Sequence, residues 1–176
     1  MKKIKNKTQA QSQESNIGKN KLMIWGISGA VFLLLMVIIL IAEGNKGKLT
    51  IRNNTQLKLE YVKTYFVYSD GPVTEDNMTY EEILEGKYIN DVVQEINLSG
   101  LEANLEVRFK FENYDEMFVD AGYFNDNFYG DIKIVFDQID DDNIELKVKA
   151  SNGILPSRTT KCDDEFNIYL SEGYVD

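Results

Sequence analysis

The sequence predicts an all-β domain, an antiparallel β-sandwich, carried after a single N-terminal transmembrane helix. Three observations predict it. Residues 22–42 contain no charged side chain. Beyond them, apolar and polar residues alternate with period two in several separate runs, the mark of strands with one buried face. Turn chemistry such as Asp70-Gly71-Pro72 and Ser151-Asn152-Gly153 separates those runs.

The first element is a basic tail, residues 1–21. It lacks apolar periodicity, so it cannot bury enough surface to offset chain entropy and is expected to be disordered. It holds six lysines against one acid, Glu14, a charge of +5. The chain carries −10 overall, which leaves −15 for residues 22–176.

The second element is the span, Leu22 to Ala42. As a helix its 21 residues reach roughly 31 Å, matching a hydrocarbon core of about 30 Å. Lysines beside a span stay on the cytoplasmic side. The N-terminus is therefore expected inside a plasma membrane and the acidic remainder outside it, in the cell envelope. Trp25 suits the inner interface. A cleaved signal peptide is the competing reading, but its apolar core runs only about 7–15 residues and ends in a small-x-small site; here Leu40 precedes Ala42 by two. No Cys follows to carry a lipid anchor. Gly26 and Ala30 have the small-xxx-small spacing that lets two spans approach, although small residues are common in spans generally.

Residues 43–48 read as a linker, and 49–176 as one extracytoplasmic domain of ordinary size. Its strands follow in order. Lys48–Asn53 alternates and ends at Asn53-Asn54-Thr55. Leu57, Leu59, Tyr61 and Lys63 alternate with Lys58, Glu60, Val62 and Thr64, on to Tyr68. Thr79 and Glu82 have capping-box spacing, so a short helix is expected over Thr79–Glu85, with an irregular crossover as the alternative. Val92–Asn97 is the next strand. Leu105, Val107, Phe109 and Phe111 then share one face, and Glu106, Arg108, Lys110 and Glu112 the other. Met117–Phe124 pairs back as a hairpin. Asp131–Phe136 and Ile144–Lys149 alternate about an acidic turn, and Phe166–Leu170 closes the set. About eight strands with short connections give an immunoglobulin-like two-sheet sandwich in its layers, without the Cys…Trp…Cys signature.

The chain has no histidine, which removes the commonest general base and metal ligand. Its one cysteine, Cys162, can form no internal disulfide and lies beside Asp163, Asp164 and Glu165, which oppose thiolate formation. A buried inert thiol is expected, with an intermolecular disulfide as the alternative. Asp137, Asp140, Asp141, Asp142 and Glu145 are oxygen-rich, but their spacing does not match an EF-hand, and a solvated turn accounts for them. Glu81, Glu82, Asp115, Glu116 and Asp120 offer carboxylates without a catalytic spacing, and no nucleophile elbow or phosphate loop occurs. The expectation is a non-enzymatic protein with no metal and no cofactor, the less favoured alternative being a hydrolase that uses these carboxylates. Within residues 49–176 three Asn-x-Ser/Thr matches, at Asn53, Asn77 and Asn97, are expected by chance in so Asn-rich a chain, and the Lys-, Asn- and Ile-heavy usage suggests a bacterial one.

The candidate binding residues are aromatic. The segment Tyr123-Phe124-Asn125-Asp126-Asn127-Phe128-Tyr129-Gly130 is too polar for a strand and too aromatic for a plain turn. Rings flanked by amides and carboxylates stack on sugars or anchor protein partners. Tyr114, Phe124, Asp126, Phe128 and Tyr129 are therefore the expected contact residues, the competing view being that these rings cap the sandwich. Expected partners are the lipid bilayer and another envelope protein or a cell-wall ligand. Nucleic acid is not expected, because the tail lacks interleaved aromatics and a folded platform.

Overall fold

The computed structural model describes residues 25, 27–38, 47–73, 78–153 and 156–175. The chain separates into two units, Met1–Gly44 and Asn45–Asp176. In the first, Trp25 and residues 27–38 are helical, and the large apolar side chains among them are exposed. Among the described residues no helix is long and apolar enough to cross a membrane. The expected span over 22–42 lies partly outside the described residues, and the basic tail lies wholly outside them.

The second unit is built from strands: β1 (Gly47–Asn54), β2 (Leu59–Tyr68), β3 (Gly71–Pro72), β4 (Met78–Ile83), β5 (Tyr88–Val93), β6 (Ala103–Phe111), β7 (Met117–Phe124), β8 (Asp131–Gln138), β9 (Asn143–Ser151), β10 (Lys161–Tyr169) and β11 (Tyr174–Val175). A 3-10 turn, Arg158–Thr160, precedes β10. One sheet has the order β11-β10-β9-β8-β1-β5. The other runs β3-β2-β6-β7, with β4 also on β2. Neighbours are antiparallel except β1 and β8, which run parallel with Ile51 opposite Ile134.

The alternation read from the sequence sets the burial. Leu105, Val107, Phe109 and Phe111 of β6 are fully buried, as are Ile132, Ile134 and Phe136 of β8. The sheets meet through these rows: the Phe136 ring lies 5.1 Å from that of Phe109 and 5.6 Å from that of Phe111, both edge-on. Burying each such ring stabilises the fold by about 1.5–3 kcal/mol. Among the described residues the buried core residues all fall between Leu49 and Leu170, so this unit carries a core of its own.

Three expectations need correction. The helix over Thr79–Glu85 is instead strand β4, with Tyr80 opposite Val62 and Thr79 opposite Lys63. The free edge of β2 offers unpaired backbone groups, and pairing them outweighs a capping-box spacing over so short a segment. Second, the register of β2 shifts between Leu59 and Tyr61. This bulge turns Tyr61 outward and leaves Val62, Thr64 and Phe66 buried beyond it, so Leu59 and Tyr61 do not share a face. Third, the strand expected over Val92–Asn97 ends at Val93, and Ile96 makes only an isolated bridge to Phe128.

Candidate functional site

The structure splits the aromatic segment 123–130. Phe124 and Phe128 are fully buried. With Phe66 they form a three-ring cluster at centroid separations of 5.1, 5.2 and 5.5 Å. Their assignment as contact residues is corrected: a phenyl ring carries no polar group to keep it wet, and the end of the sandwich needs filling. Tyr129 and Tyr123 remain exposed, at 37% and 44%. Tyr114 is half-buried against the core. Asp126 is exposed and accepts from Thr159 Oγ1 at 2.5 Å.

The amides of this segment secure it. Asn125 Oδ1 accepts from the Gly100 amide at 2.7 Å, and Asn127 Oδ1 from Ser99 Oγ at 3.0 Å. Buried Asn152 bridges the segment, donating to the Asn127 carbonyl at 2.7 Å and accepting from the Tyr129 amide at 3.0 Å. The loop is held closed rather than left open as a cleft.

The structure assembles a second group that sequence reasoning read only as a wet face. It lies on the outer side of β2, β6 and β7 and centres on Arg108. Arg108 Nε donates to the Tyr65 hydroxyl at 2.7 Å and also pairs with Glu106, and Nη1 reaches Glu116 at 3.0 Å. The Tyr61 hydroxyl donates to Glu116, and that of Tyr65 to Glu106. The guanidinium also stacks on Phe118, 4.7 Å from its centroid, and the Lys63 ammonium lies 4.8 Å from the centroid of Tyr61. Glu106 is buried even though it points outward, because Tyr65 and Arg108 cover it.

Burial, helped by the bond to Glu116, pushes the Tyr61 phenol up to about 12. Burial likewise raises Tyr65. Donation from the Tyr61 hydroxyl is the main cause holding Glu116 below the usual carboxylate range, with burial opposing it. The bond to Tyr65 is the largest influence raising Arg108 further. Asp120, on the same face, is raised by burial and by the nearby Glu106. The carboxylates that bond to Arg108 and the tyrosines are thus engaged. The group is suited to presenting a fixed surface of Tyr61, Lys63 and Phe118, the last 49% exposed. The signal lay in Arg108 and Glu106 on one side of β6, but their partners are set by register and by the β2 bulge.

The remaining candidates are dispersed. Glu82 pairs with Lys58 at 3.1 Å, while Asp115 is exposed on the β6–β7 turn. Asp137 accepts from Asn54 Nδ2 at 2.6 Å and from Lys147 at 3.2 Å, and Glu145 pairs with the same lysine. Asp140 caps its own turn, accepting from the amides of Asp142 and Asn143 at 3.0 and 2.9 Å. Among the described residues no three His, Cys, Asp or Glu side chains converge as a metal site. Cys162 is buried, with Sγ 3.8 Å from the Val148 carbonyl. Comparison of the chain with protein-family models, curated proteins and solved structures finds no match.

Proposed function

We propose that this chain is a non-enzymatic binding module of a bacterial cell envelope, anchored by a single span at residues 22–42 with the β-domain outside the plasma membrane. One observation carries the binding role: the preordered face of Tyr61, Arg108 and Phe118. Tyr and Arg are the side chains that dominate binding energies at protein interfaces, and here hydrogen bonds and stacking have already removed much of the entropy cost of ordering them. The partner is another envelope protein.

The anchor rests on the uncharged run of 21 residues and on the lysines before it. The exposed apolar helix at residues 27–38 also favours lipid around it. The immunoglobulin-like comparison is one of layers: two mostly antiparallel sheets packed through Phe109 and Phe136.

The test is in-cell crosslinking from a photoreactive residue placed at Lys63, with Phe118→Ala as the control. A crosslinked partner that disappears with the control supports the reading. Crosslinks that persist unchanged in Phe118→Ala overturn this face as the contact. An alternative, a subunit of a larger membrane assembly that makes its contacts through the span, is favoured by the Gly26 and Ala30 spacing. Replacing the span with an unrelated apolar helix separates the two, since only the assembly subunit loses association.

A further inference from the structure

After residue 42 the chain has thirteen Lys and Arg against twenty-eight acids, yet the bases are not spread evenly. Lys48, Arg52, Lys133, Lys147, Lys149 and Lys161 all lie on the outer side of the six-stranded sheet. Cross-strand register groups them. Lys48 adjoins Asp131, its amide donating to that carboxylate at 2.8 Å, and Asp131 lies opposite Ser151, itself opposite Lys161. The next row is Thr50, Lys133, Lys149 and Asp163, and the third is Arg52, Val135, Lys147 and Glu165. Six bases thus face three acids across these rows. The fourth row, Asn54, Asp137, Glu145 and Asn167, carries no base.

Lys133 stands directly opposite Lys149, an arrangement of like charges that costs stability in a sheet. Lys149 is paired with Asp163 at 2.5 Å and Lys147 with Asp137 and Glu145 of the fourth row, but among the described residues Lys48, Arg52, Lys133 and Lys161 make no side-chain ion pair. Two shallow grooves adjoin across Lys149 and Ser151. One, of about 430 Å³, is lined also by Arg158, Lys161 and Asp163, and the other, of about 400 Å³, by Lys48, Thr50, Asp131 and Lys133.

This basic region sits where β1 begins. Gly47 approaches Gly130 so closely that a Cβ on it would fall 2.0 Å from the Gly130 carbonyl oxygen, and Gly130 meets Ser151 in the same way. Exposed Tyr129 precedes Gly130 directly. Only residues 43–46 separate Ala42 from Gly47, and that length of chain reaches at most about 18 Å. Of the acids at this end, Asp131 lies on the face and is engaged by the Lys48 amide, Asp126 is bonded by Thr159, Glu95 accepts from Asn127, and Glu102 leads into β6 of the other sheet.

We propose that this face docks on anionic phospholipid headgroups of the membrane that holds residues 22–42, Lys48, Lys133 and Lys161 meeting lipid phosphates and Tyr129 at the margin, where tyrosine favours the interface. The proposal rests on the anchored reading given above. It replaces the simple expectation that so acidic a domain is repelled by polyanions on every side.

The experiment uses residues 45–176, which carry a core of their own, and sediments them with phosphatidylcholine vesicles with or without phosphatidylglycerol. At low salt about tenfold more domain sediments with the anionic vesicles, and the difference falls as salt rises. The combined Lys48→Gln, Lys133→Gln and Lys161→Gln variant loses that difference. Neutralising Lys58, Lys87 and Lys110 changes net charge equally and leaves it intact. Circular dichroism verifies that each variant is folded, and Lys133→Gln alone serves if the triple variant is not. Equal sedimentation with both vesicles overturns the proposal. So does binding of soluble polyphosphate without vesicle binding, or a face that only mediates self-association by sedimentation velocity. Failure of the anchor is read separately, as release of the full chain from membranes by alkaline carbonate, and leaves the vesicle result unaltered.

Discussion

The guanidinium of Arg108 lies against the ring of Phe118, 4.7 Å from its centroid, while Glu106 and Glu116 hold its edge. The pairing explains how β6 keeps a buried carboxylate on its outward side. Arg108→Ala uncovers Glu106 and leaves it without its cation. The loss is expected to be about 2 kcal/mol, smaller than for a wholly buried pair because the Arg108 side chain is one-third exposed. Arg108→Lys keeps the charge but not the planar fork, and falls between. Urea denaturation of residues 45–176 measures both.

The Tyr61 and Glu116 pair predicts a pH profile with two limbs. Glu116 is depressed in the fold, so its contribution is present above its unfolded value and is lost as pH falls through the folded one. Tyr61 is raised to about 12, so its contribution is complete below its unfolded value near 10 and is lost as pH climbs toward about 12. Tyr61→Phe removes both the group that titrates on the alkaline limb and the donor that chiefly depresses Glu116. Melting temperature against pH should then fall less steeply on both limbs, with a residual alkaline loss from Tyr65 and Tyr80, which are also raised.

The split within segment 123–130 predicts opposite outcomes for neighbouring rings. Phe124→Ala and Phe128→Ala each empty a place in the Phe66 cluster and should cost about 3–5 kcal/mol. Tyr129→Ala removes an exposed ring and should stay within about 0.5 kcal/mol of the parent. Chemical denaturation of the three variants checks it, and equal losses would show the loop packed differently from this description.

These residues also show what was legible in the sequence. The row from Leu105 to Phe111 could be read directly, because an unbroken period of two is the geometry of a strand. β2 was legible as a strand but not in its facing, since the bulge between Leu59 and Tyr61 inverts the alternation and leaves no local mark. β4 was hidden because Thr79 and Glu82 mimic a capping box, and the edge it completes belongs to a strand some twenty residues earlier. Within segment 123–130, composition pointed to a contact loop, but which rings turn inward depends on Phe66, far off in sequence. The Arg108 group was visible only as scattered charges, because register brings Tyr61, Tyr65 and Glu116 to it.

Cys162 is expected to be chemically silent in the folded protein. Burial pushes its thiol up to about 12, and Asp164 and Asp163 add to the effect. Almost no thiolate exists at neutral pH, and the thiolate is the reactive form. A thiol reagent should label the native domain slowly and the unfolded domain completely. A disulfide-linked dimer on a non-reducing gel would show instead that Cys162 reaches a second chain.

Calcium tests the acidic turn between β8 and β9. Oxygen ligands must converge to hold that ion, usually six to eight of them. Here the carboxylates point to separate tasks. Asp137 serves Asn54 and Lys147, and Asp142 accepts from the Ser171 amide at 2.9 Å and from its hydroxyl. Asp140 accepts from the Asn143 side-chain amide and from two backbone amides of its own turn, and these bonds, the Asn143 side chain foremost, hold its carboxyl below the usual range. Gathering these groups around an ion would break the contacts that join the turn to Ser171 and to β1. Millimolar calcium should therefore leave the melting temperature unchanged. Asp140→Ala, which strips the turn of its acceptor, should lower it with or without the ion. A rise in melting temperature with calcium that Asp140→Ala abolishes would mean that the turn rearranges into an ion site.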